Sequence, residues 1–141
     1  MTTIQDRFSR VDSSAEQKVH VTFRREVLTD DEPDLSFLEQ DYKDCSESER
    51  QKYRRQDRNR LAAFERGEWC MVGVRVVADV MVPIGQGSFR IFNIASPGVW
   101  GVESDSDESY LAEIEKDEKS SLIEQLAMMA ETFATLKEQK A

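Results

Sequence analysis

Between Trp69 and Val82 the sequence reads WCMVGVRVVADVMV, the clearest strand pattern in the chain. Small apolar side chains, most of them valines, occupy every second position from Cys70 onward, while the intervening positions are mixed and include Arg75 and Asp79. Alternation with a period of two is typical of a β-strand that buries one face. We therefore predict that the valine-rich face of this strand lies at the centre of the core.

Further strands are predicted on both sides of this segment. Residues 18–27 alternate between apolar and polar side chains, and residues 88–95 follow a glycine-rich turn at residues 83–87. A second turn at residues 96–98, Ser-Pro-Gly, precedes a short strand at residues 99–102. The last three strands are predicted to form a meander, in which each strand pairs with the next.

Two helices complete the pattern. The first is predicted to begin after Ser46, because Glu49 follows three residues later and completes a capping box. It should end near Arg66, with Gly67 as its C-terminal cap. The second begins among the Asp and Ser residues at 104–107, and its apolar side chains recur every three to four residues. They form a stripe of Leu111, Ile114, Leu122, Leu126, Met129, Phe133 and Leu136, with Glu118 in register.

The element order β–α–β–β–β–α predicts an α+β fold, with an antiparallel sheet of about four strands and two helices packed on one face. We expect a single domain over residues 18–141, preceded by a flexible N-terminal arm over residues 1–17. In this arrangement the valine-rich face of residues 70–82 meets the apolar stripe of the second helix.

Charged residues are segregated along the chain, whose net charge is −9. The first acidic segment, residues 30–49, has nine acidic side chains and one lysine, a net charge of −8. Residues 50–66 have seven basic and two acidic side chains, a net of +5, and the second acidic segment, residues 103–118, has eight acidic side chains and one lysine, a net of −7.

A net acidic chain repels nucleic acid at long range, so basic protein surfaces are its expected partners. The predicted partner-binding residues are Asp30, Asp31, Glu32, Asp34, Glu103, Asp105, Asp107 and Glu108.

The basic helix over residues 50–66 has two interpretations. Its side chains can pair with the first acidic segment, or they can contact the phosphates of a nucleic acid. The residues that would make phosphate contacts are Arg50, Arg54, Arg55 and Arg58. Trp100 also has two interpretations, as a side chain packed on a strand or as a stacking platform.

No pattern of catalytic, cofactor-binding or metal-binding residues stands out. His20 is the only histidine, and Cys45 and Cys70 stand far apart without a CxxC spacing, so we expect no catalytic residue, no cofactor and no metal site. The acidic run at residues 103–108 lacks the glycine and glutamate positions of an EF-hand loop. Two unpaired cysteines, without an apolar run long enough to cross a bilayer, predict a cytoplasmic protein.

The segment SPGVWGVESDS at residues 96–106, followed by Tyr110-Leu111, resembles a family of small proteins from bacteriophages, prophages and other bacterial mobile elements. In that family a Trp-Gly-(Ile/Val)-Glu-Ser-Asp-Ser segment leads into Tyr-Leu and an acidic helix, and the resemblance covers about residues 39–126 of this chain. It carries no activity over to this chain. It implies a cytosolic accessory protein of a mobile element.

Together these features predict a non-enzymatic acidic binding protein, a monomer or a homodimer, that acts through residues 30–49, residues 103–118 or both. Accessory proteins of mobile elements include anti-CRISPR proteins, which inhibit host defence complexes by covering their basic nucleic-acid-binding surfaces. Carboxylates suit that role because they can bind Arg and Lys sites that otherwise take phosphates. The alternative is a small regulator that contacts nucleic acid through the basic helix over residues 50–66.

Overall fold

The structure, a computed structural model, describes residues 18–137. Within this range the elements are β1 (His20–Thr29), α1 (Glu47–Glu65), β2 (Met71–Gly85), β3 (Ser88–Ala95), β4 (Val99–Glu103) and α2 (Glu108–Ala134), with short 3-10 turns at Ser36–Leu38 and Thr135–Lys137. The α+β class and the antiparallel four-stranded sheet are confirmed. Packing of both helices on one face stays a prediction, and the arm over residues 1–17 lies outside the described residues.

Strand β2 is the centre of the sheet, because each of the other described strands pairs with it. β1 lies along one side of β2. Arg24 of β1 contacts Asp79, whereas Asp30, which directly follows the strand, contacts Met71. The contacting residue on β2 therefore falls in number as the chain advances, as antiparallel pairing requires. β1 is therefore one edge of the sheet.

β3 and β4 lie one after the other on the other side of β2. β3 pairs with residues 77–85 and β4 with residues 71–74, and between them the Ser96 amide donates to the Val76 carbonyl at 2.8 Å. The predicted meander is wrong, because β4 pairs with β2 and not with β3. The Ser96-Pro97-Gly98 segment interrupts the strand path without reversing it: Pro97 has no amide hydrogen to donate, and Gly98 adopts a positive φ of 88°.

The turn between β2 and β3 is tighter than predicted. β2 continues through Pro83 to Gly85, so the loop contains only Gln86 and Gly87. Both residues have positive φ, 54° and 75°, which is the backbone of a two-residue type I′ hairpin turn. Glycine adopts this region without steric cost, whereas Gln86 occupies it with a side chain.

β3 is the opposite edge of the sheet, and its free edge pairs with no other described strand. Ile91 and Phe92 on this strand are 55% and 51% exposed, and as neighbours in a strand they point to opposite faces. Arg90 is the only charged residue of β3. This edge therefore exposes one large apolar side chain on each face.

The chain divides into two compact units, and the first has an aliphatic core. Among the described residues, unit 1 comprises 18–26, 75–98 and 113–137, and unit 2 comprises 27–74 and 99–112. In unit 1, Leu122 of α2 is fully buried against a strand face formed by Val76, Ala78 and Val80, with Val21, Phe23, Val82, Ile94 and Leu126 partly buried around them. The predicted contact between the valine-rich face and the helical stripe is confirmed.

On its opposite sheet face, unit 1 carries a ladder of charged and polar side chains. Arg75 donates to Glu26 through Nε at 2.8 Å and also through Nη2. Arg24 donates to Glu26 at 3.1 Å and to Asp79 at 3.2 Å, and Asn93 donates to Asp79. The hydrogen bonds from Arg75 and Arg24 hold the pKa of Glu26 below its usual value.

Glu118 is the acidic position within the apolar stripe of α2. Its carboxylate accepts hydrogen bonds from the Ser96 hydroxyl at 3.0 Å and from the Gly98 amide at 2.6 Å. The Ser96 hydroxyl in turn accepts from the Val76 amide at 3.0 Å. Since Ser96 is buried, these bonds satisfy polar groups that folding removes from water. Glu118 therefore holds the interruption at residues 96–98 in place.

Helix α1, in unit 2, begins and ends where the sequence predicts. The Ser46 hydroxyl accepts from the Glu49 amide at 3.3 Å, and the Glu49 carboxylate accepts from the Ser46 amide at 3.4 Å, so the capping box is confirmed. Gly67 has a φ of 77°, and its amide and the next one donate to carbonyls of the last helical turn at 2.9 and 3.0 Å, a Schellman motif. All of α1 lies in the described range, and none of its residues is buried.

Among residues 18–137, no helix combines the length and the apolar character needed to cross a membrane. The cytoplasmic location stays a prediction.

Candidate partner-binding surface

The first acidic segment begins with two tight turns that its own carboxylates stabilise. Asp30 Oδ1 accepts from the Glu32 amide at 3.1 Å, and Asp34 Oδ1 accepts from the Ser36 amide at 3.0 Å, each the pattern of an Asx turn. Hydrogen bonds from Ser36 hold the pKa of Asp34 below its usual value. Asp30 and Asp34 therefore shape the loop, while Asp31 and Glu32 lie exposed between them.

The later part of this segment lies against α1 and is bound largely through its carbonyl groups. Arg50 donates to the carbonyl oxygens of Tyr42 and Cys45 at 3.3 and 3.4 Å. Arg54 donates to the carbonyl of Asp41 at 3.3 Å. Two of the four arginines predicted to contact nucleic acid therefore bind the neighbouring loop.

Tyr42 fixes the same loop through its side chain. Its hydroxyl donates to the Asp57 carboxylate on α1, and its ring lies 5.3 Å from the Tyr53 ring between centroids. The backbone of Tyr42 has a φ of 55°, a region that side chains other than those of Asn and Asp rarely occupy. The bond to Asp57 raises the pKa of the Tyr42 hydroxyl above its usual value. These contacts offset the cost of the unusual backbone.

Arg60 joins α1 to the second acidic segment. Its guanidinium donates to Glu103 Oε1 at 2.8 and 3.1 Å and to both carboxylate oxygens of Asp105 at 2.7 and 2.8 Å. The hydrogen bond from Arg60 holds the pKa of Asp105 below its usual value, and that bond, with the one to Glu103, raises the pKa of Arg60. Bidentate, charge-assisted bonds of this type are stronger than neutral ones. Glu103 and Asp105 are thus already engaged within the chain.

The same guanidinium stacks on an aromatic ring. It lies 3.8 Å from the centroid of Trp69, whose indole N–H donates to the Arg60 carbonyl at 2.9 Å. Trp69 is buried, and Phe64 contacts it edge-on with 5.2 Å between ring centroids. The sequence places Trp69 at the start of β2, whereas in the structure it precedes the strand and docks α1.

The register of the sheet brings the two acidic segments to the same end of unit 2. On one side of β2 the Asp30 amide donates to the Met71 carbonyl at 2.9 Å, and on the other side Met71 pairs with Glu103. Because neighbouring strands lie about 4.8 Å apart, the backbones of Asp30 and Glu103 are separated by about 10 Å. Predicted partner-binding residues from both segments are therefore neighbours.

Three of the predicted acidic side chains and two of the predicted arginines have no hydrogen-bond or ion-pair partner among residues 18–137. Asp31, Glu32 and Asp107 are exposed, and their carboxylates make no hydrogen bond or ion pair with any residue in 18–137. Glu108 is exposed in the first turn of α2, where the helix dipole favours an acidic side chain. On α1, Arg55 and Arg58 are exposed and also have no such partner within the described range.

Trp100 lies on the surface of unit 2, where a glycine makes room for it. Its side chain is 48% exposed. A Cβ atom at Gly73 would come within 2.4–2.6 Å of three indole carbons, so the ring packs directly on the β2 backbone at a position that requires glycine. Sequence reasoning missed this pairing, because the register of β4 on β2 is not readable from the sequence.

No cluster of three or more His, Cys, Asp or Glu side chains between residues 18 and 137 could hold a metal ion. His20 is exposed on β1, and Cys45 and Cys70 are free thiols. The chemistry that this surface offers is that of carboxylates beside a half-exposed indole.

Comparison with models of protein families, with curated proteins and with solved structures finds no match for this chain. The resemblance to proteins of bacterial mobile elements stays a prediction.

Proposed function

We propose that the protein is a non-enzymatic binding protein, which uses the acidic end of unit 2 to engage a basic surface on a partner protein. The observation that supports this function is the row Asp30–Met71–Glu103, which brings the two acidic segments together. The partner we propose is a host defence complex that binds nucleic acid, and the protein would inhibit it as anti-CRISPR proteins do.

The charge balance of this surface supports an electrostatic mode of binding. Of the eight predicted carboxylates, five make no ion pair with any residue in 18–137: Asp30, Asp31, Glu32, Asp34 and Asp107. The Arg60 guanidinium carries one positive charge against the two negative charges of Glu103 and Asp105. Clustered carboxylates create a negative potential that attracts Arg and Lys side chains and competes with phosphates for them. Each ion pair between exposed side chains contributes little free energy, which suits a reversible inhibitor.

Direct binding of nucleic acid through α1 is less favoured. Arg50 and Arg54 donate to loop carbonyls, so Lys52, Arg55 and Arg58 are the bases on this part of the helix that remain exposed and unpaired within the described range. Affinity for a phosphate backbone grows with the number of neutralised phosphates, and three contacts beside an acidic loop are few.

The test compares two charge-reversal variants that change the net charge of the protein by the same amount at different surfaces. Tagged protein is used to capture partners from nuclease-treated lysate of a bacterial host that carries defence systems, and captured proteins are quantified by mass spectrometry. The variant carries Asp31→Lys and Glu32→Lys, since neither carboxylate supports the fold. The control carries Glu124→Lys and Glu131→Lys, which make the same charge change on the exposed face of α2 in unit 1.

The proposal expects capture of a nucleic-acid-binding complex by wild type and by the control, and loss of most of that capture by the variant at Asp31 and Glu32. Purified wild type should also displace nucleic acid from the captured complex. Equal capture by variant and control would overturn the proposal. Recovery of nucleic acid without a protein partner, abolished by Arg55→Ala and Arg58→Ala, would replace it with the regulator that acts through α1.

A further inference from the structure

Trp100 is exposed beside the acidic row although it is the type of residue that folding usually buries. We propose that its indole is the binding site for an arginine side chain of the partner, with the guanidinium stacked on the ring and paired with the carboxylates beside it. This inference rests on the proposed function and specifies the partner chemistry within it.

Trp100 and Glu103 lie on the same face of the sheet. Met71 and Gly73 are two residues apart on β2, so their side-chain positions share a face. Residues directly opposite in an antiparallel pair also share a face, which places Glu103 on the face of Met71. The indole of Trp100 occupies the space above Gly73 on that face. Two residues of strand span about 7 Å, a distance that one arginine side chain can bridge.

The Glu103 carboxylate, in the row beside the indole, can accept a further hydrogen bond. Arg60 binds Glu103 through Oε1, and no residue in 18–137 donates a hydrogen bond to Glu103 Oε2. Arg60 carries one positive charge against the two negative charges of Glu103 and Asp105, so this group still attracts a second cation. Asp30, in the same row across β2, adds to that attraction.

An arginine that stacks on an indole and pairs with carboxylates already occurs once within the chain. Arg60 stacks 3.8 Å from the Trp69 centroid while it pairs with Glu103 and Asp105. The Trp100 indole and the Glu103 carboxylate offer the same two groups, but this indole is 48% exposed, whereas Trp69 is buried. Arginine suits this geometry better than lysine, because its planar guanidinium stacks on an aromatic ring and hydrogen-bonds in its own plane at the same time.

Glycine at residue 73 supports a binding role for the ring. A strand interior loses stability with glycine, so the position carries a cost that a packed side chain would remove. Glycine at this position allows the Trp100 indole to pack directly on the β2 backbone while about half of its surface stays exposed to solvent. Trp is one of the residue types enriched among the side chains that dominate the binding energy of protein interfaces.

The experiment compares the binding of nona-arginine and nona-lysine peptides to the full-length protein at physiological salt. Wild type should bind the arginine peptide more tightly, and Trp100→Leu should weaken arginine binding roughly two- to thirtyfold with little change for lysine, the range expected for one cation–π contact. Tyr110→Leu is the matched control, because Tyr110 is also 48% exposed in unit 2. Gly73→Ala keeps the indole but displaces it, and should also lose the preference for arginine.

The outcomes separate this inference from the proposed function. Loss of the arginine preference in Trp100→Leu, with Tyr110→Leu unchanged, supports the inference. An unchanged preference in Trp100→Leu, while Asp31→Lys with Glu32→Lys still weakens both peptides, overturns the inference and leaves the proposed function standing. A change of oligomeric state in Trp100→Leu also overturns it, since the ring would then contact a second copy. Absence of any effect of the acidic residues overturns both.

Discussion

Helices α1 and α2 are held in their units by different interactions. In unit 1, α2 buries Ile114 and Leu122 against apolar side chains, and Leu122 has no exposed surface. In unit 2, α1 buries none of its own residues. It is held by charge-assisted hydrogen bonds from Arg60, by the loop contacts of Arg50 and Tyr42, and by the edge-on contact of Phe64 with Trp69. Apolar burial depends little on salt and pH, whereas ion pairs at the surface depend on both. The two units should therefore respond differently to the same conditions.

The largest effect should follow from a charge in the core of unit 1. Val76→Asp places a carboxylate at a residue that is 1% exposed, with no cation to pair with it among the surrounding core side chains. Burying an unpaired charge costs several kcal/mol, which is comparable to the whole stability of a small domain. We expect cooperative urea unfolding to disappear.

Val27→Asp is the control for that substitution, because Val27 is a strand valine that is 50% exposed. It should unfold nearly as wild type does. If Val76→Asp unfolded with the midpoint of wild type, the assignment of the unit 1 core would be wrong.

The next effect tests the polar attachment of α1. Arg60→Gln removes the bidentate bonds to Asp105 and the contact with Trp69, and should lower the free energy of unfolding by about 1–2 kcal/mol, since the pair is partly exposed to solvent. Arg58→Gln is the control, because Arg58 has no hydrogen-bond or ion-pair partner in the described range. It should change the free energy of unfolding by less than about 0.5 kcal/mol. Chemical denaturation at low and high salt should show the Arg60 effect shrinking as salt rises, and a salt-independent loss would point to packing on Trp69 instead.

A smaller effect is expected at the start of α1. Ser46→Ala removes the hydroxyl half of the capping box and should cost about 1 kcal/mol, because the Glu49 amide loses its acceptor. The bond from the backbone amide of residue 46 to the Glu49 carboxylate remains possible. Ser46→Asp keeps an acceptor at the same position and should restore most of the stability. Equal urea midpoints for Ser46→Ala and wild type would mean that α1 does not depend on its cap.

The smallest effect is the pH dependence of the Arg60 network. The pKa of Asp105 is lowered in the folded protein by its hydrogen bond from Arg60, so its contribution is complete above the unfolded pKa of about 3.9 and is lost as pH falls through the folded pKa. The stability difference between wild type and Arg60→Gln should therefore narrow below about pH 4. Urea unfolding at pH 7 and pH 3 measures it, and a constant difference would show that the ionised carboxylate is not what Arg60 stabilises.

Local signals in the sequence predicted the elements well, because they depend on neighbouring residues. The alternation of residues 70–82, the pair Ser46 and Glu49, and Gly67 each act through contacts within a few positions, and each is confirmed. The stripe of α2 is confirmed where it meets Leu122, but Phe133 is 61% exposed, because periodicity does not say where the opposing surface ends.

Contacts between distant segments could not be predicted in the same way. The sequence Ser96-Pro97-Gly98 is a good turn signal, yet Glu118 binds it so that the chain continues along β2 without reversing. The acidic residues of the candidate surface were found from composition, but their neighbourhood depends on the register of Met71 with Glu103. The position of Trp100 over Gly73 depends on the same register.

The two edges of the sheet have a consequence for handling the protein. β1 contains three consecutive charged residues, Arg24, Arg25 and Glu26. Charged side chains on an edge strand discourage it from pairing with the edge strand of another molecule. β3 carries exposed Ile91 and Phe92 and a single charge, so it lacks that protection. Aggregation in concentrated solution should begin at β3, and a lysine in place of Ile91 should raise the solubility limit more than the same change anywhere on β1.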